Sequence, residues 1–175
     1  MSEHYRPQPE QLSFLAPDDV ELLTMMRRLL SEASRIYEAR SGLSLHEPVI
    51  IQQPRDVFEH LRAEMGELSQ EQLRTVTVGA RQQVLSTHLL YQGTVSGTPV
   101  RVAEVFRPAI LDNATGLFVV HNHPSRDPTP SPQDIYLTEQ LRQAGKILDI
   151  ELMDHLIIAG DSYTSLRERG LGFSV

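Results

Sequence analysis

Apolar and polar positions recur along the chain with two different periods, and each change of period marks a new element. Between residues 18 and 40, Leu22, Met26, Leu29, Leu30, Ala33, Ile36 and Tyr37 fall three or four apart, which predicts a helix with one apolar face. Asp18 and Asp19 open it, Gly42 is its stop, and the Met and Tyr on its face read as core. Residues 1–16 are polar, carry Pro7 and Pro9, and are expected to fray. Residues 43–53, LSLHEPVIIQQ, read as a linker with His46 exposed and Val49, Ile50 and Ile51 placed to dock on a core. From Pro54, the spacing of Val57, Phe58, Leu61 and Met65 predicts a second helix that stops at Gly66, with His60 exposed off its face.

The pattern then shortens to strands. EQLRTVTV (71–78) and VLSTHLLYQ (84–92) predict a hairpin turning at GARQQ (79–83), with His88 packed or at the surface. A loop over 93–98 leads to a short helix, 102–112, with Ala103, Phe106 and Ile110 inward and Pro108 inside it. Leu117–Val120 reads as a buried strand, and Pro132 begins a helix with Ile135, Leu137, Leu141 and Ala144 inward, ending near Gly145. An apolar strand over 150–159, a turn at Asp161-Ser162, a strand from Tyr163 to Leu166 and a solvated Arg167-Glu168-Arg169 tail follow. Hairpins mixed with helices predict an α/β fold in the broad sense (α+β), with a mixed or largely antiparallel sheet flanked by helices.

Composition narrows the chemistry. Across 175 residues, 40% hydrophobic and 22% charged positions are ordinary for a globular chain, enough for one domain and a short extension. With no cysteine, disulfides, thiolate zinc sites and cysteine nucleophiles are excluded, so any zinc must use His, Asp or Glu. MSEHYRPQPEQ shows no apolar leader and no run reaches membrane-span length, so a cytoplasmic protein with no membrane association is expected. A net charge of −7 disfavours tight nucleic-acid binding.

The candidate chemistry sits at GLFVVHNHPSRDPTPSPQD, residues 116–134. In an extended chain His121 and His123 share a face and can present both rings to one point. Pro124, Pro128, Pro130 and Pro132 end the strand, Ser131 reads as an N-cap with Pro132 at the first helical position, and Asp134 lies in the first turn. Two imidazoles and a carboxylate suit Zn²⁺ with one position left open; such a metal lowers the pKa of a bound water to about 7. Taken singly each residue has a plainer reading: HxH occurs by chance, Ser131 can only cap, and Asp134 can only favour the helix N-terminus. Asp127 is the weaker alternative ligand, and Asn122 points away from the histidines as a loop hydrogen-bonder.

HNHPSRDPTPSPQD resembles the JAMM (MPN+) metalloprotease motif, His-x-His-Pro followed by a loop, Ser, two residues and Asp. It is most similar to the RadC branch, H-N-H-P-S-G-D-P-x-P-S-x-x-D, with Arg126 standing where that pattern has Gly. The similarity continues through LMDHLIIAGDSYTSLRERG (152–170) and back to about residue 54. It implies a JAB/MPN-type, cytidine-deaminase-like domain over 54–175, behind an N-terminal tail, helix and linker over 1–53. The helix-hairpin-helix module that RadC relatives carry near that N-terminal part is not visible. The resemblance implies Zn²⁺ held by His121, His123 and Asp134, and amide hydrolysis, peptide or isopeptide, of a peptide or protein substrate. It further implies a proton-carrying Glu upstream at a strand start, which Glu71 fits ahead of Glu67 and Glu104, and a Ser131 that stabilises the oxyanion. Asp154-His155 also matches, either as a group orienting a ligand or, preferred here, as a satisfied polar pair at a strand end. Two other readings compete: a DNA-repair-associated RadC-like factor, and a non-catalytic MPN scaffold that binds proteins.

Overall fold

A computed structural model describes residues 48–93 and 100–173, and parts of a helix among residues 22–36. The chain divides into two units, Met1–Glu47 and Pro48–Val175. In the first, the described residues are helical as expected, but Leu22, Met26, Leu29, Leu30 and Ile36 are exposed rather than core. Their own unit offers no second described element to cover them. The expected fraying of residues 1–16, the caps of this helix, Tyr37, His46 and the loop over 94–98 lie outside the described residues. No described helix is long and apolar enough to cross a membrane.

The second unit begins with an extended stretch in which Ile50 bridges Gln83 and Ile51 is buried, while Val49 and Ile50 stay exposed. Helix α1, Pro54–Met65, starts at Pro54 behind a Gln53–Asp56 capping box and buries Val57, Phe58, Leu61 and Met65 as their spacing predicts. Strands β1, Gln72–Val78, and β2, Val84–Gln92, form the hairpin. Helix α2 is Val102–Leu111, strand β3 is Gly116–Asn122, helix α3 is Pro132–Leu148, and strands β4, Glu151–Ala159, and β5, Ser162–Ser165, close the chain.

The five strands lie in the order β2-β1-β3-β4-β5. Among the described strands only the β3–β4 pair is parallel, and α3 makes the crossover that a parallel pair requires. Alternation divides the side chains between two cores. Val76, Val78, Phe118, Val120, Leu156 and Ile158 pack with α1 on one face. Leu73, Leu117, Val119 and Leu152 pack with α2 and α3 on the other. The result is a mixed sheet between helical layers.

Two local readings are corrected, and the stop at Gly66 holds. Helix α2 buries Val105, Phe106, Pro108 and Ala109, leaving Ala103 and Ile110 exposed. The two possible faces share Phe106, and the one with more apolar neighbours wins. Helix α3 does not end at Gly145 but runs three residues further, to Leu148, with Asp149 as a left-handed cap. Gly145 is instead a contact point, where an added Cβ would come within 2.5 Å of the Ile150 carbonyl oxygen. Gly66 ends α1 in an ordinary right-handed conformation, and its lack of a side chain lets it meet the Gly160 carbonyl. That contact fixes where the chain leaves α1 for β1.

Candidate metal centre

Strand pairing assembles the centre. Leu73 of β1 lies opposite His121 of β3. Glu71, two residues before Leu73, is thereby brought to the end of β3 beside the histidines. Strand β3 ends there, at the N-terminus of α3, in the crevice outside a parallel strand's carboxyl end where open α/β sheets bind ligands. One carboxylate oxygen of Glu71 and one nitrogen from each of His121 and His123 all lie within 4.8 Å of one another. Asp134 completes the ring: Oδ1 is 3.4 Å from His121 Nε2 and Oδ2 is 4.0 Å from His123 Nε2.

Asp134 is held by its own helix cap. Ser131 donates to Oδ2 twice, from its backbone N–H at 2.7 Å and its hydroxyl at 2.6 Å, while Ser131 Oγ accepts from the Asp134 amide at 3.2 Å. These bonds saturate Oδ2 and leave Oδ1 turned toward His121.

A hydrogen-bond chain sets the tautomers of both histidines. The Thr138 hydroxyl donates to the Asp134 carbonyl at 2.6 Å, so its oxygen can only accept from His155 Nδ1–H, at 2.7 Å. Neutral His155 then has a bare Nε2, which accepts from His121 Nδ1–H at 2.9 Å. His123 Nδ1–H donates to the Asp127 carbonyl at 2.7 Å. Both rings therefore turn a bare Nε2 into the site, 3.0 Å apart. Two nitrogen lone pairs and a carboxylate oxygen converge with no donor among them.

That arrangement fits a cation. In a tetrahedral zinc shell with bonds of about 2.0–2.1 Å, ligand atoms stand about 3.3 Å apart. The separations of 3.0 Å between the two Nε2 atoms and 3.4 Å from His121 Nε2 to Asp134 Oδ1 bracket that value. Electrostatics agrees. Burial first, then His155, pushes the His121 ring well below its ordinary value, and burial does the same to His155, so both stay neutral. Burial pushes Asp134 up, but His121 and the Ser131 bonds outweigh it and the carboxyl lies below the usual range. Glu71 moves the other way: burial and Asp134 raise it, against a lowering by His123.

The remaining candidates lie elsewhere. Glu67 is exposed and pairs with Arg126 at 2.8 Å. Glu104 bonds Tyr91 and Arg101, away from the histidines. The Asp127 carboxylate is taken by Thr129, and only its carbonyl serves, on His123. Asn122 faces away from the histidines and is buried, bonded to Gln70 and Gln72. His60 is half-buried against Thr87 rather than exposed. His88 joins Ser86, Thr77 and Asp112 in a separate polar cluster; its Nε2 meets both Ser86 and Asp112, so the three do not form a relay through the two ring nitrogens.

The preferred reading of Asp154-His155 is corrected. The pair lies inside β4, not at its end, and splits between faces. His155 orients His121, whereas Asp154 accepts from Ser165 and from the backbone amides of His155 and Arg167. Thr138 was missed altogether. Its signal was available: it lies four residues after Asp134 and so on the same face of α3.

A model of the RadC-like JAB domain family matches residues 51–171. A UPF0758 protein of Chloroflexus aggregans is 47% identical over 135 residues, 77% of this chain and 58% of the relative. A UPF0758 protein of Moorella thermoacetica is 38% identical over 169 residues, 93% of this chain and 74% of the relative. The chain thus spans little more than half the length of the Chloroflexus relative, 58%. With the family match covering the sheet, its helices and every residue of the centre, this chain belongs to the RadC-like JAB domain family.

Proposed function

We propose that the chain is a zinc-dependent hydrolase of the JAMM type that cleaves amide bonds, peptide or isopeptide, in a peptide or protein substrate. One observation carries the reading: two bare Nε2 atoms and Asp134 Oδ1 converge with no hydrogen-bond donor among them. His121, His123 and Asp134 are the residues that would hold the ion. Zinc, when bound, supplies Lewis acidity toward a carbonyl and lowers the pKa of water in its open position to about 7.

The protein's own groups do the rest. Glu71, kept from ionising readily by partial burial, takes a proton from the attacking water on a carboxylate oxygen and returns it to the leaving nitrogen. Ser131 has a structural task and a chemical one. Its hydroxyl donates to Asp134 Oδ2, and its backbone N–H donates to the same oxygen. When the hydroxyl turns to the developing oxyanion, the backbone bond still holds Asp134 in place. A donor of this kind is worth about 3–4 kcal/mol of barrier in other hydrolases.

The test is metal content followed by turnover. Purified protein should carry about one zinc per chain, and His123→Ala should lose it. Glu71→Gln, more weakly bound to zinc but saturated with it in excess metal, should lose amide hydrolysis by about 100-fold or more. Full zinc content in His123→Ala, or undiminished hydrolysis in Glu71→Gln, contradicts the assignment.

A further inference from the structure

Asn122 stands between the two histidines of the centre, but its side chain goes to the opposite face and is 2% exposed. There its carboxamide spans the segment that precedes β1. Oδ1 accepts from the Gln72 amide at 2.8 Å, and Nδ2 donates to the Gln70 carbonyl at 3.1 Å. The residue between those two groups is Glu71. On its other side the Glu71 carbonyl accepts from the Gly93 amide at 2.9 Å. The backbone pairing of β1 with β3 stops at Leu73–His121, so beyond that point the Asn122 side chain stands in for the ladder.

We infer that Asn122 is a positioning residue that clamps the backbone on both sides of Glu71 and so holds the Glu71 carboxylate against the histidine pair. The same peptide that carries the clamp joins the two histidines. A shift of β3 therefore moves ligands and Glu71 together, and their spacing is preserved. No other residue type does this as well. The site needs one acceptor and one donor on a short planar group, which is the carboxamide of asparagine. The Arg126–Glu67 pair spans the same two segments, but its side chains are 70% and 75% exposed, which makes it a weak tie.

This inference rests on the metal-site reading of the centre, and its test separates the two. Metal affinity is measured with zinc alone, by calorimetry, in wild type, Glu71→Gln, Asn122→Ala and the double variant. A carboxylate this close to a dication favours its binding, so Glu71→Gln should weaken zinc by about tenfold in wild type. In the Asn122→Ala background the same change should weaken it by less than about twofold, because the carboxylate is no longer held there. Amide exchange supplies the second readout: Asn122→Ala should speed the Gln72 amide by about tenfold or more while Thr75 to Val78 keep their protection. If Asn122→Ala does not fold, Asn122→Ser, whose hydroxyl is too short to span both groups, takes its place.

Zinc that binds wild type with additive effects of the two substitutions overturns the clamp and leaves the metal site standing. An unchanged Gln72 amide overturns it as well. A wild-type chain that binds no zinc overturns the metal site, and the positioning role falls with it.

Discussion

Asp134 shows how two explanations of one residue can both hold. The sequence allows it to be a helix cap or a ligand, and the capping box makes it both, tying up Oδ2 and freeing Oδ1. The histidines follow the same logic, since a ring nitrogen is useful to a metal only when the other carries the proton. Thr138 sets that proton from two hydrogen bonds away, through His155. Thr138→Val keeps the shape and removes the acceptor, leaving His155 free to place its proton on Nε2 and push His121 into the wrong tautomer. Zinc affinity should fall about 10–100-fold, measured by competition with a chelator, with little change in fold. An unchanged affinity would show that the Thr138–His155–His121 relay does not set the ligand. At this scale His121, His123 and Asp134 were legible because they lie on one local strand–loop–helix pattern. His155, Thr138 and the Asn122 contacts were not, because each reaches its partner through strand pairing or helix packing, which no short spacing reveals. Arg126 sits in the left-handed region, φ 62°, in a position where glycine is at ease, which agrees with its standing as a departure from the related pattern.

Elements were easier to read than their ends and their rotation. The buried face of α1 follows from apolar spacing, and the β1–β2 hairpin from Thr- and Val-rich content on either side of a short turn. Helix α3 misled because its tightest contact is made by a glycine, which apolar spacing reads as a stop. Gly145→Ala should destabilise by about 1–3 kcal/mol in urea unfolding, despite alanine's better helix propensity, because the added Cβ meets the backbone of Ile150. A stabilised variant would contradict that packing. Helix α2 is tied to the hairpin by Asp112, whose Oδ2 accepts from Thr77 and Ser86 and pairs with His88. Burial raises this carboxyl, but those bonds outweigh it and hold it below 3.8. A depressed folded-state pKa contributes stability that is fully present above the unfolded value and is lost as pH falls through the folded one. The stability gap between wild type and Asp112→Asn should therefore be constant above about pH 5 and shrink below about 3.8 in urea titrations. A gap independent of pH would contradict the role of its charge.

For the molecule as a whole, the order β2-β1-β3-β4-β5 is what turns scattered residues into a centre. It sets β1 beside β3, so that Glu71 meets His123, and β4 on the other side, so that His155 meets His121. The broad class, helices around a mixed sheet, was readable from alternating periods. The strand order was not, because it depends on pairings between residues more than 30 positions apart, such as Val119 with His155. The central claim is that β3 and the first turn of α3 close on a divalent ion. A crystal of the purified protein, measured on both sides of the zinc absorption edge, tests it most directly. The account predicts one anomalous peak bonded to His121 Nε2, His123 Nε2 and Asp134 Oδ1, with Glu71 nearby but outside the bonding distance of about 2.2 Å. No peak among these residues in zinc-replete protein, or a peak coordinated without Asp134, would contradict it.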